Sequence, residues 1–136
     1  MAIRLERFRG LLDTASRGRL AEREARRWLV RNGFRILRSN VASRSGEVDL
    51  VAVEAGVLCF VEIKARSGPS FGTAAAAVTL TKRRKLVREA ERWLRRHPWE
   101  GPCRFDVLAL DRVLEGGSAV WRIHLIRGAF ELDERH

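Results

Sequence analysis

The 136-residue sequence predicts an α/β domain, with a mixed central sheet of about five strands flanked by two long helices. Three observations carry that expectation. Two apolar, β-branched runs, Val48 to Val53 and Val57 to Ala65, flank a short Glu54-Ala55-Gly56 turn, the pattern of a tight β-hairpin. Apolar residues recur at helical spacing before and after this hairpin, around Leu20 to Leu29 and Leu86 to Leu94. Two more strand-like runs, Arg104 to Leu110 and Ala119 to Ile126, close the chain around a Glu115-Gly116-Gly117-Ser118 turn.

Residues 1–16 carry only a weak amphipathic pattern (Ile3, Leu5, Phe8, Leu11, Leu12) and read as a loose helical arm or a disordered leader. Residues 17–128 form the domain, and 129–136 a polar, mobile tail. Ser16 is a fair N-cap for a first helix running to about Asn32, stopped by Gly33. Leu20, Ala21, Ala25, Trp28 and Leu29 form its buried stripe, and arginines largely fill the rest. Phe34 to Arg38 is the first strand, and the polar segment Ser39 to Ser45 reads as a turn. After the hairpin, Ser67 to Gly72 is a loop whose Phe71 either stacks on a base or tucks into the core. Thr79 or Thr81 caps a second helix that ends near His97, before Pro98. Its stripe is Leu86, Val87, Ala90, Trp93 and Leu94. Eight Lys and Arg residues face outward, against only Glu89 and Glu91.

Charged residues within the hairpin carry the chemistry. With Ala55-Gly56 as a two-residue loop, Glu54 pairs with Val57 and Asp49 falls directly opposite Glu62. Lys64, two residues on, projects from the same face. Like charges facing each other destabilise a strand pair, and a cation between them removes the conflict. Mg²⁺ or Mn²⁺ suits such a place, because Mg²⁺ takes one or two carboxylates and keeps water and phosphate oxygens. The bland alternative puts Asp49 at a frayed strand end, with Glu62 and Lys64 paired to surface charges. Three charges converging across one hairpin favour the functional reading. Glu47 shares the face of Asp49 and either assists the metal or is an exposed strand-end acid. Arg44, Arg66, Lys82, Arg83 and Lys85 are candidate phosphate contacts around the acids.

Composition narrows the partner. Twenty-seven Lys+Arg against 17 Asp+Glu leave a formal charge of +10, with a pI near 11.3. That field favours a polyanion, either nucleic acid or an acidic membrane surface. The basic helices carry core stripes rather than a broad lipid face, which favours nucleic acid and argues against a membrane role. Cys59 and Cys103 match no metal or redox spacing, and His97, His124 and His136 share no zinc-ligand spacing. No apolar run approaches the ~20 residues of a membrane span, and the N-terminus lacks a signal-peptide pattern, so a cytoplasmic location is expected.

Asp49 followed by Glu62-Ile63-Lys64 on the next strand resembles the signature of PD-(D/E)XK metal-dependent nucleases. A longer series is similar to the YraN-type bacterial family, which is grouped with Holliday-junction-resolvase-like endonucleases. It comprises Gly18, Ala21-Glu22, Gly46 to Leu50, Phe60 to Lys64, Lys82 and Arg104 to Val107. Val48 departs from the wider signature, which has Pro there.

This resemblance, covering roughly residues 17 to 110, implies a restriction-endonuclease-like core and hydrolysis of phosphodiester bonds in DNA, branched or structured DNA being favoured. Asp49, Glu62 and the main-chain carbonyl of Ile63 would hold the ion, and Lys64 would serve the attacking water. For Glu22, an intrahelical pair with Arg26 competes with a role at the metal, and the resemblance tips it to the metal. Lys82 would hold a phosphate. Asp106 reads as a satisfied buried carboxylate paired with Arg104. A homodimer is expected if a two-fold-symmetric junction is cut. The competing function is a DNA- or RNA-binding module that uses the same basic surface without turnover.

Overall fold

Helical and strand periodicities alternate along the chain as the sequence predicts, and both faces of the sheet are covered. In the computed structural model, which describes residues 2–4, 14–67 and 74–130, the order is β1 (Ala2–Arg4), α1 (Thr14–Arg31), β2 (Arg35–Ser43), β3 (Gly46–Glu54), β4 (Val57–Ser67), α2 (Leu80–Arg96), β5 (Cys103–Glu115) and β6 (Ser118–Phe130). The strands form one mixed sheet in the order β1-β6-β5-β4-β3-β2. Every neighbouring pair is antiparallel except β4 and β5, which run parallel with α2 between them in sequence.

Strand β4 shows how the layers divide. Leu58 and Phe60 point to the α2 side, where they pack with Val51, Leu86, Val87, Ala90, Trp93 and Phe105. Cys59 and Val61 point to the α1 side, with Ala21, Ala25, Leu29, Leu50 and Leu108. A strand covered on both faces needs apolar residues at every step, which explains the continuous run from Val57 to Val61.

Several boundaries differ from the sequence expectation. Ala2–Arg4 is a strand paired with β6, although an arm was expected; residues 5–13 lie outside the described residues. Helix α1 starts at Thr14 rather than after Ser16. Strand β2 extends through Ser39 to Ser43, which read as a turn; as an outer strand it can leave polar side chains in solvent. A bulge between Ile36 and Arg38 and the left-handed Asn40 (φ 53°) break its regularity. Strands β5 and β6 also run on to Glu115 and Phe130, beyond their expected ends. Phe71 and the tail from Glu131 lie outside the described residues.

One side chain expected in solvent is buried. Glu89 on α2 is fully enclosed; its carboxylate accepts from Ser43 Oγ and from Arg92 (3.1 Å). Those two partners allow a carboxylate under the helix. Beside this contact, Gly46 meets α2 so closely that a Cβ would come 2.4 Å from the Lys85 carbonyl oxygen. The β2–β3 hairpin is thus clasped to α2 at two points.

The opposite end of the sheet holds an ion network. Buried Asp106 accepts from Arg104 (2.8 and 3.0 Å) and from the Gly128 amide (3.0 Å), as its reading as a satisfied carboxylate requires. Arg104 also reaches Glu54, which Arg127 grips with two further bonds of 2.7 and 2.6 Å. Arg104 and Arg127 both lie over the Phe34 ring, 5.9 Å from its centroid.

Candidate functional site

Ala55 (φ 48°) and Gly56 (φ 78°) are both left-handed, the geometry of a type I′ loop. That loop sets the register: Glu54 pairs with Val57, and the ladder continues to Leu50 opposite Val61. One step further the pairing changes character. The Ile63 amide donates to the Asp49 carboxylate (Oδ2, 2.8 Å), so a side chain takes the ladder's place.

This brings Asp49 beside Glu62, within reach of each other's charge. Glu62 is only 7% exposed. Its Oε1 lies 3.7 Å from the Lys82 ammonium, while its buried Oε2 has no hydrogen-bond partner among the described residues. Burial, and then the charge of Asp49, push the Glu62 carboxyl up to about 8, with Lys82 opposing. Burial also raises Asp49, against the Ile63 amide; exposed Glu47 adds its field to both.

Glu62 follows Leu58 and Phe60 on the α2 side of β4, and half-buried Lys64 continues that row. Among the described residues the Lys64 ammonium makes no hydrogen bond or ion pair. Glu22 arrives from the α1 side. Its Oε1 accepts from Asn40 (2.9 Å) on β2, between the residues opposite Leu50 and Val48, and thus across from Asp49. Asn40, not Arg26, is the partner of Glu22 among the described residues.

The basic candidates divide into two sets. Lys82 touches the acid pair, Lys85 lies one helical turn on, and Arg44 stands in the hairpin loop that Gly46 seats on Lys85. Lys85 and Arg44 are exposed. Arg83 and Arg66 are engaged within the fold. Arg83 donates to the carbonyls of Val78 (3.0 Å) and Ala75 (2.9 Å) and lies over Phe130; Arg66 forks onto Asp111 of β5 at 2.7 and 3.0 Å. Sequence reasoning missed Asn40, whose one visible signal is a turn-forming residue inside a strand.

Among the described residues no group of three His, Cys, Asp or Glu side chains is arranged to hold a metal. A two-carboxylate set with an unpartnered buried oxygen does not suit zinc, which prefers a closed tetrahedral cage. It does suit Mg²⁺ or Mn²⁺, ions that retain several waters. No helix of the described residues is long and apolar enough to cross a membrane.

Comparison with known proteins gives one consistent result. The model of the uncharacterised protein family UPF0102 matches residues 21–110, which include Glu22, Asp49, Glu62, Lys64 and Lys82. A UPF0102 protein of Xylella fastidiosa (strain M12) is 44% identical over 126 residues, covering 91% of this chain and 99% of its own length. UPF0102 proteins of Symbiobacterium thermophilum and Halorhodospira halophila are 44% and 42% identical, over 83% and 87% of this chain and 94% and 89% of their own lengths. The chain belongs to the UPF0102 family.

Proposed function

We propose that this protein is a Mg²⁺- or Mn²⁺-dependent phosphodiesterase acting on nucleic acid, with DNA, branched or otherwise structured, as the favoured substrate. The observation that supports it most is the buried, unpartnered Glu62 Oε2 beside Asp49, in a chain of formal charge +10. A restriction-endonuclease-like core agrees with a mixed sheet between two helices that carries the acids on adjacent strands.

Asp49, Glu62 and the Ile63 main-chain carbonyl would hold the ion. When bound, the ion supplies positive charge to the scissile phosphate and to the attacking water. The chain's own groups do the rest. The Ile63 amide fixes the Asp49 carboxylate in place. Lys64 orients the attacking water or meets charge developing on the phosphate. Lys82, Lys85 and Arg44 hold the backbone phosphates. Glu22, held by Asn40, supports the site from the α1 side. A homodimer would suit a two-fold-symmetric substrate.

The test is cleavage and binding of duplex, single-stranded and four-way DNA with Mg²⁺ or Mn²⁺, using wild type, Asp49→Asn and Glu62→Gln. The wild type is expected to cut, and both variants to bind without cutting. A wild type that binds with steep salt dependence but never cuts would replace this reading with a binding module. The Lys82–Glu62 ion pair at 3.7 Å is what favours that second reading, since it already offsets one acid internally.

A further inference from the structure

At the far end of α2 from Lys82 a cavity of about 380 Å³ opens on the same face of the sheet as Glu62. Buried Leu58 and Trp93, part-buried Trp99 and exposed His97, Leu37 and Arg38 line it. Its aromatic side chains are held by contacts within the fold. The His97 ring stacks on Trp93, with centroids 3.7 Å apart and planes 16° apart, and its amide donates to the Trp93 carbonyl (2.8 Å). Trp99 donates its indole N–H to the Pro102 carbonyl (3.1 Å), the same oxygen that accepts from the Leu58 amide. Gly101 passes beneath, where a Cβ would meet that indole nitrogen at 2.9 Å. The bulge between Ile36 and Arg38 shapes the β2 side.

Aromatic rings, an apolar Leu58 and an exposed guanidinium suit a planar heterocycle carried on a polyanion. The outward face of α2 between the acid pair and this cavity carries exposed Arg84, Lys85, Arg88, Arg95 and Arg96. The separation is about 13 Å along β4 from Glu62 to Leu58 and about 22 Å along α2 from Lys82 to His97. At the ~3.4 Å per nucleotide of a stacked strand that spans roughly four to seven nucleotides. The geometry points to a receptor for an unpaired DNA base: His97, Trp99 and Arg38 take a base from a single-stranded stretch a few nucleotides from the phosphate held at the acid pair. This rests on the nucleic-acid part of the proposed function and deepens it. It supplies the preference for a duplex interrupted by unpaired bases.

The test is fluorescence anisotropy in EDTA, so that cleavage plays no part. The probes are a hairpin duplex with a single-stranded tail of about six nucleotides and the same duplex with an abasic tail. Wild type is expected to bind the base-bearing tail about tenfold more tightly than the abasic one. His97→Ala and Arg38→Ala change exposed residues, and each is expected to lose most of that difference, read as the ratio of the two affinities. Equal binding of both probes by wild type overturns the inference, as does a preference surviving in both variants. Failure to bind either probe overturns the nucleic-acid reading with it. A base preference in a protein that never cuts upholds the receptor and overturns only the nuclease.

Discussion

Gly46 rests directly on the main chain of Lys85, with room for a hydrogen and not for a methyl group. The glycine opens β3 three residues before Asp49, and Lys85 lies one turn beyond Lys82. The spacing of the hairpin from α2 therefore sets the spacing of acid from ammonium. Gly46→Ala forces these backbones apart and is expected to cost about 1–3 kcal/mol, read as a shift in the urea midpoint at constant m-value. An unchanged midpoint would mean that the clasp yields freely.

The carboxyl of Glu62, pushed up to about 8 from an ordinary 4.5, gives stability a definite slope with pH. The folded state keeps a proton that the unfolded chain releases. This group's contribution is therefore fully present below about 4.5 and is lost as pH rises through about 8. In EDTA the melting temperature of wild type is expected to fall over that interval more steeply than that of Glu62→Gln. Millimolar Mg²⁺ should restore wild type at the alkaline end and leave the variant unmoved. Parallel curves for the two proteins would remove Glu62 from the account.

Lys82 is part-exposed, so its ion pair with Glu62 contributes little to folding, less than about 1 kcal/mol. Its charge matters more for the site. Lys82→Met removes the cation that opposes the upward shift of Glu62, so Mg²⁺ binding should demand a higher pH. The same variant should bind DNA with a shallower salt dependence, by about one unit of slope. Isothermal titration at several pH values checks the first outcome and anisotropy at several salt concentrations the second.

Glu54 behaves in the opposite sense. The two hydrogen bonds from Arg127, with the one from Arg104, hold its carboxyl down at about 2. Its contribution is present above about 4.5 and lost as pH falls through about 2. Glu54→Gln is expected to lose about 1–3 kcal/mol at neutral pH and to flatten the acid limb of the stability curve. A denaturant series at pH values across that range measures both.

The nearness of Asp49 and Glu62 was legible in the sequence because a two-residue loop sets the register as far as Leu50 opposite Val61, one step short of the two acids. Asp106 was legible because a lone acid in a buried strand needs a partner, and Arg104 stood two residues away. What stayed hidden depends on contacts distant in sequence. Glu89 sits beside a helix stripe and reads as solvent-facing until Ser43, 46 residues away, supplies its hydrogen bond. Arg83 and Arg66 look identical in sequence to arginines that await a phosphate; only the fold brings Ala75, Val78 and Asp111 to them. Polar residues hid the length of β2, since an outer strand tolerates residues that a central one does not.

The parallel pairing of β4 with β5 has a consequence that no side chain dictates. A chain leaving the end of β4 must travel back before it can enter β5 alongside, so α2 begins where β4 finishes, near Glu62 and Lys64. Its peptide dipoles thus add up to a partial positive charge there, and no acidic residue in the first turn offsets it. Topology alone makes that end of the molecule attractive to anions, and part of that attraction would survive neutralisation of every lysine around it.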